Sequence, residues 1–321
     1  MIVITGAAGF IASCLVTELN NLGYYDLVIV DDFSIDSKKG NWDKARVSHV
    51  VDREEYLNWM ADNLNEIQFV FHLGARTNTA EQDIELLNRL NLNYSKKIWN
   101  NCCAAGIPLI YASSAATYGS GENGFIDDET SLDLLHPLNF YGESKNDFDK
   151  WAIQQEKKPV FWAGFKFFNV YGPNEYHKGR MASVIFHAFN QINSTSGMKL
   201  FKSHNSAFMD GEQQRDFIYV KDVLSVLLYF MEERKNSGIY NLGTGVPRTF
   251  MDLAKAVFES LSKEETISFI DTPDDIRDKY QYYTCANMDK LKNAGYSKEF
   301  TNLEDGVKDY VTNFLIKSNF F

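Results

Sequence analysis

A chain of 321 residues is long for one ordinary domain and sufficient for two closely packed ones. Hydrophobic residues make up 45% and charged residues 23%, which gives ample core material with no segment of extreme composition. Acidic residues (43) outnumber basic ones (32), so a net charge of −11 argues against a nucleic-acid or anionic-membrane partner, and local cations must hold any anionic ligand.

Met1 to Thr5 reads as a short buried strand, followed at once by a Gly-rich turn. An apolar periodic stretch then runs to Leu22 and stops at Gly23, as a helix ending on glycine does. Asp26 to Val30 is a second strand, ending at Asp31-Asp32, and Gln68 to His72 and Pro108 to Ala112 are two more. Between those last two lies a long helical pattern over about 82–105. Such alternation predicts an α/β fold, a Rossmann-type doubly wound parallel sheet with helices on both faces. Beyond Pro173, helical runs at Ser183–Ile192, Val220–Glu233, Phe250–Leu261 and Leu303–Ile316 mix with short strands. The expected division is a dinucleotide-binding domain over 1–172, with returns to the sheet around 216–245, and a mixed α/β substrate lobe over 173–321. The polar stretch from Lys202 to Gln214 reads as a surface loop.

Cys14, Cys102, Cys103 and Cys285 form no C-x-x-C pair, and six scattered histidines give no ligand spacing, so reduced thiols and no metal are expected. Residues 1–17 are uncharged but lack a basic n-region, and Thr5, Gly6, Gly9 and Ser13 interrupt the apolar run. The uncharged stretch from Ile98 to Gly121 contains Asn100, Asn101 and Pro108, so it is no membrane span, and a cytoplasmic location is expected.

The first strand leads into T-G-A-A-G-F-I-A, which sets Gly6, Gly9 and Ala12 in G-x-x-G-x-x-A spacing. The glycines let backbone N–H groups approach a pyrophosphate, and the third small residue lets helix and strand pack closely. A lone glycine triad is weak evidence. Its place after the first strand, with an acidic residue ending the second, makes it specific. Asp31 suits a ribose 2′-hydroxyl, whereas Lys38, Lys39 and Arg53 suit a 2′-phosphate, so the residues leave NAD and NADP both open.

Tyr141-Gly-Glu-Ser-Lys145 places a phenol and an ammonium on one helical face. A phenol of pKa near 10 is a poor base at neutral pH, and the neighbouring lysine with a positive nicotinamide is expected to lower it. Ser114, which with Ser113 ends the strand P-L-I-Y-A, precedes Tyr141 by 27 residues and offers a hydroxyl to hold a substrate oxygen, and Asn91 lies on the intervening helix. On this order of Gly-rich turn, acidic strand end, Asn, Ser, Tyr and Lys, the chain is identified as a member of the extended short-chain dehydrogenases/reductases. The 4,6-dehydratases of that group carry an acidic pair just after the serine. Here Ala115 and Ala116 stand there, which argues against dehydration.

Phe167 to His187 (F-F-N-V-Y-G-P-N-E-Y-H-K-G-R-M-A-S-V-I-F-H) resembles the ADP-glyceromanno-heptose 6-epimerases. So do Y-A-S-S-A-A-T-Y-G, K-L-F, Arg215-Asp-Phe-Ile-Tyr-Val, N-L-G-T-G at Asn241–Gly245 and the Lys279-Tyr-Gln region, so the likeness spans the chain. The resemblance implies cofactor contacts at Phe10, Ile11, Asp31, Asp32, Lys38, Arg53, Leu73, Gly74, Ala75, Arg76, Thr77, Asn91, Lys145, Val170 and Lys178, beside Gly6 and Gly9. It implies a catalytic pair of Tyr141 and Lys178, supported by Ser114 and Lys145, and substrate contacts at Ser114, Asn169, Arg180, His187, Phe201, Lys202, Ser203, His204, Arg215 and Tyr280. A guanidinium at Arg215 suits a diphosphate. Taken without the resemblance, Lys178 reads as a solvated lysine and His187, on an apolar helical face, as a core histidine.

The implied reaction is inversion at C6 of an ADP-heptose through transient oxidation, for the inner core of lipopolysaccharide. The implied cofactor is one tightly bound NADP per subunit, and Asp31-Asp32 also admits NAD. The implied assembly is a homo-oligomer, a pentamer. The chain departs from the family at Ala12 for the third glycine, Asp32 for Asn, Lys166 for Arg and Arg180 for a small polar residue. The rival readings are another sugar-nucleotide epimerase or reductase, such as a UDP-sugar 4-epimerase, and a catalytically silent dinucleotide sensor.

Overall fold

The computed structural model describes residues 1–277 and 280–321. The amino-terminal half alternates β1 (Ile2–Thr5), α1 (Phe10–Asn21), β2 (Leu27–Asp31), β3 (His49–Asp52), α2 (Tyr56–Asp62) and β4 (Phe69–His72). A continuous helix follows, made of α3 (Ile84–Leu87), a π turn (Asn88–Asn93) and α4 (Tyr94–Ala105). Then come β5 (Leu109–Ser114), α5 (Phe140–Gln154), β6 (Trp162–Phe167), β7 (Asn169–Tyr171), α6 (Val184–Thr195) and β8 (Met198–Phe201). The remainder comprises β9 (Gln214–Arg215), β10 (Phe217–Tyr219), α7 (Val220–Glu233), β11 (Gly238–Leu242), β12 (Arg248–Thr249), α8 (Phe250–Ser260), β13 (Ile267–Ile270), α9 (Asp274–Arg277), α10 (Asp289–Asn293) and α11 (Leu303–Asp309), which runs into a second π turn (Tyr310–Leu315).

Seven strands form one parallel sheet in the order β11-β6-β5-β4-β1-β2-β3, which is the predicted doubly wound α/β architecture. The strands β1, β2 and β4 (IVIT, LVIVD, FVFH) are wholly buried, as both-face coverage by helices demands of a parallel sheet. Edge strand β3 leaves His49, Val50 and Asp52 exposed and buries Val51. Helix α1 packs on α7, while α2, α4 and α5 pack in a row. Between those last helices and the sheet, Trp99, Tyr111, Phe148 and Trp162 meet edge to face or stacked, with Trp99 and Trp162 at 5.2 Å. The carboxyl-terminal residues build two-stranded pairs β8–β13 and β9–β12, against which α6 and α8 pack, with α11 on α8 and β10.

Because every strand of the main sheet points the same way, the ends after Thr5, Asp31, His72 and Ser114 open on one edge. The strand order reverses between β1 and β4, and ligands of open α/β sheets bind at that crevice.

Candidate active site

A cleft of about 1400 Å³ opens at that crevice, lined from Gly6 and Gly9 at one end to Arg215 and Tyr280 at the other. Gly6 holds φ +72°, and a Cβ there would lie 2.6 Å from Gly74 Cα, so both position 6 and its neighbouring strand end depend on glycine. Gly9 caps α1 in extended conformation with no side-chain hydrogen bond, so the first N–H groups of the helix stay open to an anion. Phe10, Ile11 and Ala12 line the cleft just beyond.

Asp31 is buried, and its two oxygens do different work. Oδ2 accepts from Ala8 N (2.9 Å) in the Gly-rich turn, while Oδ1 accepts from Asp32 N (2.7 Å) and Lys38 Nζ (3.0 Å). The Arg53 guanidinium lies 3.8 Å from Asp32, whose carboxyl is held below its ordinary range by the Ser34 hydroxyl first, with Arg53 and Lys38 adding to it. Leu73, Gly74, Ala75, Arg76 and Thr77 line the opposite wall, with Arg76 paired to Glu81 at 2.8 Å. The cradle, the open helix start and two cations beside Asp31-Asp32 fit a dinucleotide.

Asn91 does not line the cleft. It is 1% exposed in the π turn, accepts from Arg76 N (2.8 Å) and donates to Arg76 O (3.0 Å) and Ser144 Oγ (3.0 Å). The amide thus ties the cofactor wall to helix α5 from beneath. Val170, in β7, is likewise not among the lining residues.

Helix α5 begins at Asn139, whose side chain accepts from Gly142 N, and carries Tyr141 and Lys145 on its buried face. Burial pushes the Tyr141 phenol above its ordinary pKa, and the Ser114 hydroxyl pulls it back. This corrects the expectation that Lys145 lowers it. Lys145 Nζ instead donates to Ala112 O at 2.8 Å, and burial brings its own pKa down to about 8 against the opposing charge of Asp149.

Lys178 sits on the turn Tyr176–Met181 and lines the cleft, with its Nζ 5.6 Å above the Phe10 ring. It is half-buried rather than solvated, and burial lowers its pKa while Glu175 opposes. Glu175 fixes the turn, for Ser183 N (2.5 Å) and Ser183 Oγ (2.6 Å) both donate to its carboxylate. Asn41 joins this turn to the dinucleotide cradle through Ala8 O and Asn174 O, each at 3.0 Å, and sits 3.2 Å from His177. The pattern of residues gave no sign of Asn41, whose role depends on contacts distant in the chain.

Among the residues expected on substrate, Arg180, Arg215 and Tyr280 line the cleft, while Ser114, like Tyr141 and Lys145, is not among the lining residues. Arg215 is 7% exposed, donates to the carbonyls of Gln214 and Gln281, and lies against the rings of Phe250 and Tyr280 at 5.5 and 5.4 Å. Asn139 lines the cleft as well, and so do Glu143 and Gln281, which lie inside recognised motifs that give them no role. Other expectations are not met by the geometry. His187 is exposed on α6, neither core nor cleft. Lys202 pairs with Asp271 (3.2 Å), Ser203 turns back to Asn205 and Asp210, and His204 N donates to Tyr282 OH, so these three hold their own loop and its neighbours. Phe201 ends β8, Asn169 is exposed in β7, and neither lines the cleft. Lys279 lies outside the described residues. Among the described residues no His, Cys, Asp and Glu cluster fits a metal, and no helix is long and apolar enough to cross a membrane.

The family model described as the NAD dependent epimerase/dehydratase family matches residues 2–243. The ADP-L-glycero-D-manno-heptose-6-epimerase of Fusobacterium nucleatum is 46% identical over 329 aligned positions, which span 99% of this chain and 99% of its own. That of Nitratidesulfovibrio vulgaris is 44% identical over the whole of both chains. Among solved structures, the enzyme of the same name from Helicobacter pylori superposes with a TM-score of 0.79 at 26% identity, covering 97% of this chain and 95% of its own.

Proposed function

Because the chain belongs to the NAD dependent epimerase/dehydratase family, and within it to the ADP-L-glycero-D-manno-heptose-6-epimerases, we propose that it inverts C6 of ADP-D-glycero-β-D-manno-heptose. The observation that carries the reading is the supply of two separate proton-handling groups, the Tyr141–Ser114 pair and the cleft lysine Lys178. Inversion needs a proton moved at the C6 oxygen in two directions, once as the alcohol becomes a ketone and once as the ketone is reduced on its other face. When bound, a nicotinamide dinucleotide supplies the acceptor that takes hydride from C6 and gives it back. Ser114 holds the reacting oxygen, and Tyr141 or Lys178 takes its proton as the ketone forms and returns one as the alcohol is restored. Lys145, its pKa brought down to about 8 by burial, stays cationic for most of the time at neutral pH and ties α5 to β5 through Ala112 O. Arg215 receives the diphosphate and Tyr280 lies beside it, with residues 1–172 holding the cofactor and 173–321 most of the substrate.

The cofactor we assign is NADP, with Lys38 and Arg53 facing its 2′-phosphate despite the charge of Asp32. Among the expected cofactor contacts, Gly6, Gly9, Phe10, Ile11, Asp31, Asp32 and Leu73 to Thr77 line the cleft and keep that role, in a cytoplasmic homopentamer whose mass sedimentation would report. Two measurements test the function. Purified protein incubated separately with ADP-D-glycero-β-D-manno-heptose and UDP-galactose should epimerise only the first, read by NMR. Turnover of UDP-galactose alone would overturn the assignment. Nucleotide released on denaturation should have the mass of NADP, and NAD alone would overturn the cofactor assignment.

A further inference from the structure

Helix α5 turns three side chains toward β5 at four-residue intervals, Tyr141, Lys145 and Asp149. Each engages a different residue of the strand. Tyr141 meets the Ser114 hydroxyl, Lys145 Nζ donates to Ala112 O, and the Asp149 carboxylate accepts from Ser113 Oγ (2.6 Å) and Tyr111 OH (3.0 Å). Lys166, on the next strand β6, donates to Asp149 at 2.7 Å and to Thr117 Oγ1 at 2.7 Å. Thr117 in turn donates to Ser114 O at 2.9 Å. Asp149 and Lys166 are both 0% exposed. The ion pair therefore reaches Ser114 from both sides, through Ser113 and through Thr117.

We propose that the buried Asp149–Lys166 pair is a positioning device for the acid–base groups, setting the register of α5 on β5 so that Tyr141 meets Ser114, and placing a fixed negative charge one helical turn from Lys145. The inference rests on the reading of Tyr141 and Lys145 as the acid–base groups. A buried ion pair is a poor source of stability, since taking both charges out of water costs about what their attraction returns, so its persistence here is better explained by what it holds in place. The Asp127 and Glu129 carboxylates act on the flanking Tyr118 and Tyr111. Lys166 of β6 and Tyr111 of β5 face Asp149, Tyr118 lies 5.2 Å from Lys166, and His72 of β4 faces Lys145. The Asp149 charge raises both Lys145 and Tyr141.

The test compares the full-length holoenzyme with Asp149→Asn and with Asp149→Asn/Lys166→Met, which leaves no charge stranded. Both limbs of the pH–kcat profile should move toward acid in both variants. At fixed neutral pH kcat should fall about 10- to 100-fold through misplacement of the phenol, with KM changed little. Independently of turnover, enzyme labelled with ¹³C at the tyrosine phenol carbon should show the Tyr141 resonance, assigned by its absence in Tyr141→Phe, titrating at lower pH than in wild type. Limbs and resonance left at their wild-type pH in the double variant would overturn the proposal even if kcat fell, for the pair would then be a packing element alone. A double variant that does not fold would overturn it too, since the pair would be holding the fold and not the site. A wild-type enzyme without epimerase activity would instead defeat the functional reading, and the resonance would still decide the positioning role.

Discussion

At the scale of single residues, Tyr141 is the sharpest case. The Tyr141→Phe enzyme should keep its nucleotide and lose about 10²- to 10⁴-fold in epimerisation rate, because only the phenolic oxygen is removed. A loss under about threefold would take Tyr141 out of the chemistry. Lys178→Met should likewise impair turnover while leaving the fold intact, since the methionine keeps the apolar stem and loses only the ammonium. Unchanged turnover there, read beside an unchanged melting temperature, would leave the enzyme with one proton-handling group. Asp32→Asn removes a negative charge 3.8 Å from Arg53 and should strengthen NADP relative to NAD in a competition for the apoenzyme. His72 offers a pH test. It is buried between Thr5 and Ser95 with its pKa pushed down to about 3 by burial, so the folded ring stays neutral where the unfolded chain binds a proton. Stability is therefore full above the ordinary histidine pKa of about 6.5 and falls with pH below it, by about 2 kcal/mol between pH 7 and 5. The variant His72→Gln should lack that part of the slope in urea titrations at the two pH values. At this scale the glycine turn, Asp31, Tyr141 and Lys145 were legible, because each belongs to a fixed local spacing. Asn41, Asp149 and Lys166 were not, because their partners come from elsewhere in the chain, and His187 was misread because an apolar helical face tells which residues cluster but not which way a rim residue turns.

At the scale of elements, hydrophobic periodicity located β1, β2, β4, β5 and the helices α1, α6, α7 and α8 to within a few residues. Helix α7 falls on its expected bounds of Val220–Glu233. Edge strand β3 escaped notice because only Val51 of its four residues is buried. The π turn at Asn88–Asn93 also left no periodic mark, yet it is the stretch that carries Asn91. Caps are local and so give element-scale tests. Thr249 and Asp252 form a reciprocal capping box at the start of α8, where Thr249 Oγ1 accepts from Asp252 N at 2.9 Å. Thr249→Ala should cost about 1 kcal/mol in denaturant unfolding with turnover preserved. Ser183→Ala removes both a cap of α6 and a hydroxyl donor to Glu175, so it should lower stability by a similar ~1 kcal/mol and also reduce kcat through the Lys178 turn. A kcat equal to wild type in Ser183→Ala would separate that turn from Glu175.

At the scale of the whole molecule, the cleft brings the amino-terminal glycine turn and the carboxyl-terminal Arg215 and Tyr280 around one volume. A C6–H beside a hydroxyl, with no carbonyl next to it, is too weak an acid for either Tyr141 or Lys178 to remove as a proton. Turnover in D₂O should therefore leave no deuterium at C6, and substrate deuterated at C6 should keep its label with little loss to added free NADP. Solvent deuterium appearing at C6 in step with turnover would falsify the oxidation–reduction reading. The strand order carries a different consequence, for how the chain comes to be folded at all. From β1 the sheet grows outward in order of synthesis, through β2 and β3 to one edge and through β4, β5, β6 and β11 to the other. Every strand docks on one already made, so a nascent chain never has to open a finished pair to admit a latecomer. A ribosome stalled well past Phe167 would already display six of the seven strands in native order, with β6 as the open edge awaiting β11.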